Sequence, residues 1–118
     1  MLGRGKPHPR SYGCFPRFFG KYVLGERLMS MEDGVRRMTS FPSKRFGLKG
    51  RGLLREDMSA DITILDPDKI IDTATFQDPH QYAKGIEYVL VNGEITVEDG
   101  RFTGVLAGKT LKHPVHWK

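Results

Sequence analysis

Phe15, Phe18, Phe19, Tyr22 and Val23 recur at i, i+3, i+4, i+7 and i+8, with Arg17 and Lys21 on the other face. This spacing predicts an amphipathic helix over residues 15–24, with Pro16 in its first turn and Gly25 as its stop. Gly20 lies inside it and is expected to cost about 1 kcal/mol relative to alanine. Ser30 as N-cap, followed by Asp33 three positions later, opens a second helix over about residues 31–40 with Met31, Val35 and Met38 as its apolar stripe. Pro42 permits one more short turn through Phe46, which Gly47 ends in a left-handed cap.

Ahead of the first helix, Gly3-Arg4-Gly5-Lys6-Pro7-His8-Pro9-Arg10 has two glycines and two X-Pro steps, so residues 6–10 are expected to be extended. After glycines 47, 50 and 52 the period changes from helical to alternating. Asp61-Ile62-Thr63-Ile64-Leu65-Asp66 reads as a short strand closed by Pro67. Between Ile86 and Glu98 two β-rich runs flank Asn92-Gly93, a pair that tolerates the positive φ angles of a type I′ turn. The two-residue loop pairs Val91 with Glu94, Leu90 with Ile95 and Tyr88 with Val97, collecting Leu90, Ile95, Tyr88 and Val97 on one face. The same register sets Glu87 opposite Glu98, a repulsive pair unless Lys84 or Arg101 sits nearby. Asp68 to Lys84 is a long connection, with Asp78-Pro79-His80 as its turn, and such a loop is expected to pack on something. The expected fold class is α+β: a basic arm over residues 1–14, a helical segment over 15–48, and a β-rich segment over 49–118 containing the hairpin 86–98.

Composition narrows the function classes. At 118 residues, 38% hydrophobic and 28% charged, the chain can form one small domain with a modest core, which excludes both a complete TIM-barrel enzyme and wholesale disorder. No apolar run approaches the roughly 18 to 20 residues needed to cross a bilayer, so a membrane role is not expected. Cys14 is the only cysteine, which excludes an internal disulfide and fits a reducing cytoplasm. Charge is divided unevenly: residues 1–55 hold 13 Lys/Arg against 3 Asp/Glu, and residues 56–118 hold 6 against 11. That polarity fits either a nucleic-acid surface on the first half or two pieces of a larger body facing different neighbours.

Local spacing alone points to little catalysis. Cys14 is paired with no particular histidine, so a small packed or partly exposed side chain is expected. Of His8, His80, His113 and His116, only the last two have ligand-like proximity, and Pro114 argues against one helical face carrying both. Asp61, Asp66, Asp68, Glu98 and Asp99 bracket strands or occupy turns, where solvated acids belong. Arg10 stands apart, because Pro7 and Pro9 stiffen the backbone ahead of it and its planar fork suits a carboxylate. Gly3-Arg4-Gly5-Lys6 and Lys49-Gly50-Arg51-Gly52 could neutralise phosphates, but Phe15, Phe18 and Phe19 fall at core spacing rather than as a stacking platform.

Taken in order, several segments resemble the C-terminal region of D-aminoacylases, the N-acyl-D-amino-acid deacylases of the amidohydrolase superfamily. They are His8-Pro9-Arg10-Ser11-Tyr12-Gly13 with Phe15-Pro16-Arg17, Met38-Thr39-Ser40, Arg51-Gly52-Leu53-Leu54, Ala60-Asp61-Ile62, Phe76-Gln77-Asp78-Pro79, Gly85 to Gly93, and Thr103-Gly104. The resemblance implies a zinc-dependent hydrolase in which a (β/α)₈ barrel carries the metal and a small β-sandwich is built from both chain ends. This chain would then hold the last barrel helices and the returning antiparallel sandwich strands.

The family's reaction polarises an amide carbonyl with zinc and uses an aspartate just upstream of the His-Pro-Arg segment as general base and acid. Met1-Leu2-Gly3-Arg4-Gly5 contains no aspartate, and the family's cysteine and histidine zinc ligands belong to earlier segments, so the expectation is no catalytic residue and no zinc bound by this chain alone. The resemblance carries over one role, that of Arg10 as the group gripping the α-carboxylate of an N-acyl-D-amino acid in the intact enzyme. Cys14 stands where the family usually has a small polar residue, and the His113 to Lys118 tail departs from the pattern. The expected partner is the missing N-terminal barrel portion, or self-association through Phe15, Phe18, Phe19, Met31, Val35 and Met38. The alternative is a non-catalytic nucleic-acid- or protein-binding module using the basic helical half, with steep salt dependence.

Overall fold

The prolines that suggest an extended arm instead start a helix. In the computed structural model, which describes residues 4–112, α1 spans Arg10–Arg17. It therefore begins at Arg10, not at Phe15. The X-Pro rule restricts the residue before each proline, so it holds Lys6 and His8 out of the helix and leaves Arg10 unrestrained. Pro9 itself has φ −50° and ψ −29°, already helical, and its carbonyl accepts from the Tyr12 and Gly13 amides at 3.1 and 3.0 Å. Pro16 lies inside α1, where its missing N–H leaves a gap in the ladder. The chain continues as a π-helical segment, Phe18–Gly25, closed by the Glu26 amide on the Lys21 carbonyl at 2.8 Å.

The remaining elements are α2 (Met31–Met38), α3 (Ser40–Arg45), β1 (Ile62–Leu65), β2 (Ile86–Val91), β3 (Glu94–Glu98) and β4 (Arg101–Phe102). They fall into two compact units. One comprises residues up to Gly34 with Leu65–Ile86; the other comprises Val35–Ile64 with residues from Glu87 onward. No helix among the described residues is long and apolar enough to cross a membrane.

The buried apolar core of the first unit is Phe19, Val23 and Ile70. Phe15, at the start of the predicted stripe, is 63% exposed. Glycines provide the close approaches: a Cβ on Gly20 would lie 2.1 Å from the Ile70 carbonyl oxygen, and one on Gly34 would lie 2.8 Å from Val23 Cγ2. The buried residue of α2 is accordingly Gly34; of the predicted apolar stripe Met38 is half-buried, while Met31 and Val35 stay exposed. The N-cap of α2 is as predicted, with Ser30 Oγ accepting the Asp33 amide at 3.2 Å.

In the second unit, α3 ends on Gly47 at φ 65°, with the Gly47 amide on Lys44 O at 3.2 Å and the Leu48 amide on Ser43 O at 2.9 Å. These are the paired bonds of a Schellman cap. The sheet order is β1-β2-β3-β4. The Gly93 amide bonds Ala60 O and the Asp66 amide bonds Gly85 O, so β1 and β2 run in opposite directions. Asn92 and Gly93 have φ 51° and 87°, as a type I′ turn requires. Val91 pairs Glu94 and Leu90 pairs Ile95, as predicted, but a bulge then brings Val89 opposite Val97 in place of Tyr88. Thr96 is the extra residue; it is 9% exposed, its hydroxyl donates to Val89 O at 3.1 Å, and Ile95 is left facing solvent. The bulge also separates Glu87 from Glu98, which instead pairs Arg101 across a second two-residue turn, Asp99-Gly100, at φ 49° and 71°.

The first turn is pinned from outside the hairpin. Arg51 donates to Asp61 Oδ2 and to Asn92 Oδ1, Asp61 Oδ1 accepts the Asn92 amide at 2.9 Å, and Asn92 Nδ2 donates to Ala107 O at 2.7 Å. Burial pushes the Asp61 carboxyl up, but the Asn92 amide and the Arg51 guanidinium outweigh it and hold the group below its ordinary value. A lowered folded-state pKa contributes stability above the unfolded value of 3.8 and loses it as pH falls through the folded one. Asn92 and Gly93 amides are therefore expected to lose hydrogen-exchange protection on acidification below about pH 4, and Asp61→Asn should remove that pH dependence. Protection that does not change with pH in the wild-type chain would contradict this role for Asp61.

Candidate functional site

The first unit contains a cleft of about 550 Å³ along one face of α1. Arg10, Gly13, Cys14 and Arg17 line it at helical spacing, and Asp72, Ala74, Thr75, Phe76 and Gln77 line it from the long connection. That connection does pack, as its length predicts. Ile71 and Lys84 close its base in an antiparallel bridge, and Asp72 lies so near α1 that a Cβ on Gly13 would sit 2.7 Å from Asp72 Cβ. Only glycine at position 13 lets the helix and the connection meet this closely.

The two arginines of the cleft differ in their electrostatic state. Arg17 Nη1 donates to Asp72 Oδ2 at 3.1 Å. Asp72, and to a smaller extent Tyr22, raises the Arg17 pKa further above its already high value, which leaves that cation both permanent and answered. Arg10 is exposed on the first turn, and its guanidinium has no hydrogen-bond or ion-pair partner among the described residues. Its backbone is held instead: the Arg10 amide donates to His8 Nδ1 at 3.1 Å, and the His8 ring meets Phe76 edge-on at 4.9 Å. The cleft therefore offers one uncommitted positive charge beside apolar walls, an arrangement suited to an anion with an apolar or amide-bearing body.

Outside the cleft lining is a group that spacing did not single out. His80, read as part of a turn, accepts or donates through both ring nitrogens: Nδ1 is 2.9 Å from the Tyr12 hydroxyl and Nε2 is 2.9 Å from Gly5 O. A carbonyl only accepts, so Nε2 carries a proton and, in the neutral ring, Nδ1 accepts from Tyr12. Tyr12 also meets the His80 and Tyr82 rings edge-on at 5.6 and 5.8 Å. The sequence signal for His80 was the Asp78-Pro79 turn ahead of it; nothing in the spacing could tie it to partners 75 and 68 positions away.

The other candidates stand as follows. Cys14 is a free, exposed thiol on the rim of the cleft. Asp66 accepts the Asp68 amide at 2.9 Å and Lys69 Nζ at 2.6 Å, and the Lys69 contact chiefly holds its carboxyl below the usual range. Asp99 accepts from the Tyr88 hydroxyl at 3.3 Å and is the main reason that phenol is raised. His113 and His116 lie outside the described residues. Among the described residues no three His, Cys, Asp or Glu side chains come together as metal ligands.

A family model described as the amidohydrolase family matches residues 2–97. The chain is 43% identical over 106 residues to a D-aminoacylase of Alcaligenes xylosoxydans xylosoxydans, covering 90% of this chain and 22% of that protein. A solved D-aminoacylase variant in complex with copper chloride superposes with a TM-score of 0.87 at 42% identity, over 90% of this chain and 22% of that one. An N-acyl-D-glutamate deacylase of Bordetella bronchiseptica, solved with zinc and a phosphonate mimic of the tetrahedral intermediate, superposes with a TM-score of 0.76 at 43% identity. That match covers 81% of this chain and 21% of the other. The chain thus spans about a fifth of the length of the relatives it matches.

Proposed function

Since this chain belongs to the amidohydrolase family, we propose that it forms the C-terminal part of a cytoplasmic N-acyl-D-amino-acid deacylase, which hydrolyses the amide C–N bond of its substrate. In this reading α1 to α3 are the last helices of a (β/α)₈ barrel, and β1 to β4 are the returning strands of a composite β-sandwich. Arg10 receives the substrate's α-carboxylate. What supports this role is the uncommitted Arg10 guanidinium at a cleft whose second cation is already answered by Asp72. A D-aminoacylase and an N-acyl-D-glutamate deacylase differ in the substrate side chain but share the α-carboxylate, the group that a fixed guanidinium fork recognises.

Zinc in this family polarises the scissile carbonyl and supplies the attacking oxygen. The described residues do not fit that ion, since they bring together no ligand set. In this reading the metal ligands and the general base come from the part of the relatives' length that this chain does not span, and this chain's share is to bind the substrate's carboxylate through Arg10. Separated from those segments, the chain keeps Phe15, Met31 and Val35 exposed and is expected to self-associate.

The 118-residue chain supplied with zinc is expected to leave N-acetyl-D-amino acids intact. Joined behind the barrel segments of the D-aminoacylase relative, it is expected to restore release of the free D-amino acid. Turnover by the isolated chain, or none from a folded, zinc-loaded joined enzyme, would overturn the reading.

A further inference from the structure

We propose that His80 is a positioning residue for Arg10: one imidazole fastens both ends of the segment that carries the arginine and so sets where its guanidinium meets a carboxylate. The proposal rests on the deacylase reading of the cleft. His80 Nε2 holds Gly5 O and Nδ1 holds the Tyr12 hydroxyl, each at 2.9 Å, so the end of the arm and the first residues of α1 are bracketed by two bonds to the same ring. Within the loop Pro7 and Pro9 fix their own φ angles, and His8 Nδ1 receives the Arg10 amide at 3.1 Å. Gly5, at φ 70°, makes the bend that brings its carbonyl back to the ring.

The orientation of His80 is itself determined. Tyr12 meets its ring edge-on at 88° and also meets the Tyr82 ring edge-on, while Thr73 Oγ1 donates to Tyr82 O at 2.7 Å. The ring thus joins the long connection to the arm and the first turns of α1. Arg10 needs this external fixing because α1 has no side-chain N-cap bond and the Arg10 guanidinium makes no hydrogen bond or ion pair among the described residues. Without His80, Gly5 loses its bond to the long connection, and carboxylate binding must order the segment first. The effect belongs in substrate affinity, since neither His80 nor Tyr12 lines the cleft.

The test uses the joined enzyme and N-acetyl-D-amino acids. His80→Phe removes both bonds and is expected to raise KM about tenfold with kcat within about twofold. Tyr12→Phe removes one and should raise KM about threefold. His80→Gln keeps one donor and one acceptor and should recover part of the loss, which a mere packing role would not predict. An unchanged KM in active His80→Phe enzyme overturns this inference alone; an inactive, folded wild-type joined enzyme overturns the deacylase reading and the inference with it. In the 118-residue chain, His80→Phe should speed amide exchange at Arg10 to Gly13, and equal exchange in both proteins would also overturn the proposal.

Discussion

Gly20→Ala is expected to destabilise the chain by about 3 kcal/mol, lowering its melting temperature by about 15 °C. Helix propensity alone predicts the opposite sign, because alanine is favoured over glycine inside a helix by about 1 kcal/mol. Packing decides the outcome. The added methyl group would lie 2.1 Å from the Ile70 carbonyl oxygen and 3.0 Å from its carbon, and backbone atoms cannot swing aside as a side chain can. The π-helical segment would have to lift off Ile70, which together with Phe19 and Val23 forms the buried apolar core of that unit. Gly108→Ala is the matching control, since a Cβ there meets nothing within 4 Å, and its effect should stay within about 0.5 kcal/mol. Thermal and urea unfolding of the variants measure both, and an unchanged or raised midpoint for Gly20→Ala would show that the contact relaxes at no cost.

Arg10→Ala in the joined enzyme is expected to raise KM for N-acetyl-D-amino acids about 100-fold, with kcat changed only a few-fold. Two charge-assisted hydrogen bonds to a carboxylate account for that size, since each is worth about 1.5–3 kcal/mol before the substrate's return to water offsets part of it. The loss falls on KM because the carboxylate is bound equally in ground and transition states. Arg10→Lys should restore only a fraction, because a single ammonium keeps the charge without the fork. Arg17 provides the internal contrast. Its guanidinium is already engaged by Asp72, so Arg17→Ala should act mainly on stability. Steady-state kinetics of the three variants separate these outcomes, and a kcat loss without a KM change for Arg10→Ala would remove it from carboxylate binding.

Local chemistry was legible in the sequence, and distance was not. Ser30, Pro42, Gly47 and Asn92-Gly93 each act through residues a few positions away, and the α2 cap, the α3 stop and the hairpin turn follow from them. Asp99-Gly100 carries the same turn signal as Asn92-Gly93 and could have been read the same way. The π-helical segment packs Gly20 against the Ile70 backbone, a contact fifty positions away that helical spacing alone could not reveal. Thr96 became a buried bulge through hydrogen bonds to a neighbouring strand, a preference that alternation does not encode. At the candidate site, Arg10 was visible because its prolines are adjacent to it. Asp72, Tyr12 and His80 were not, because their roles exist only once the long connection folds back on α1.

β4 is two residues long, and one of them is Arg101, which faces Glu98 across the Asp99-Gly100 turn. A sheet that ends this way presents almost no row of free amides and carbonyls to an incoming segment, and it places a cation where such a segment would have to dock. Growth of intermolecular β-structure from that border is therefore opposed by the border itself.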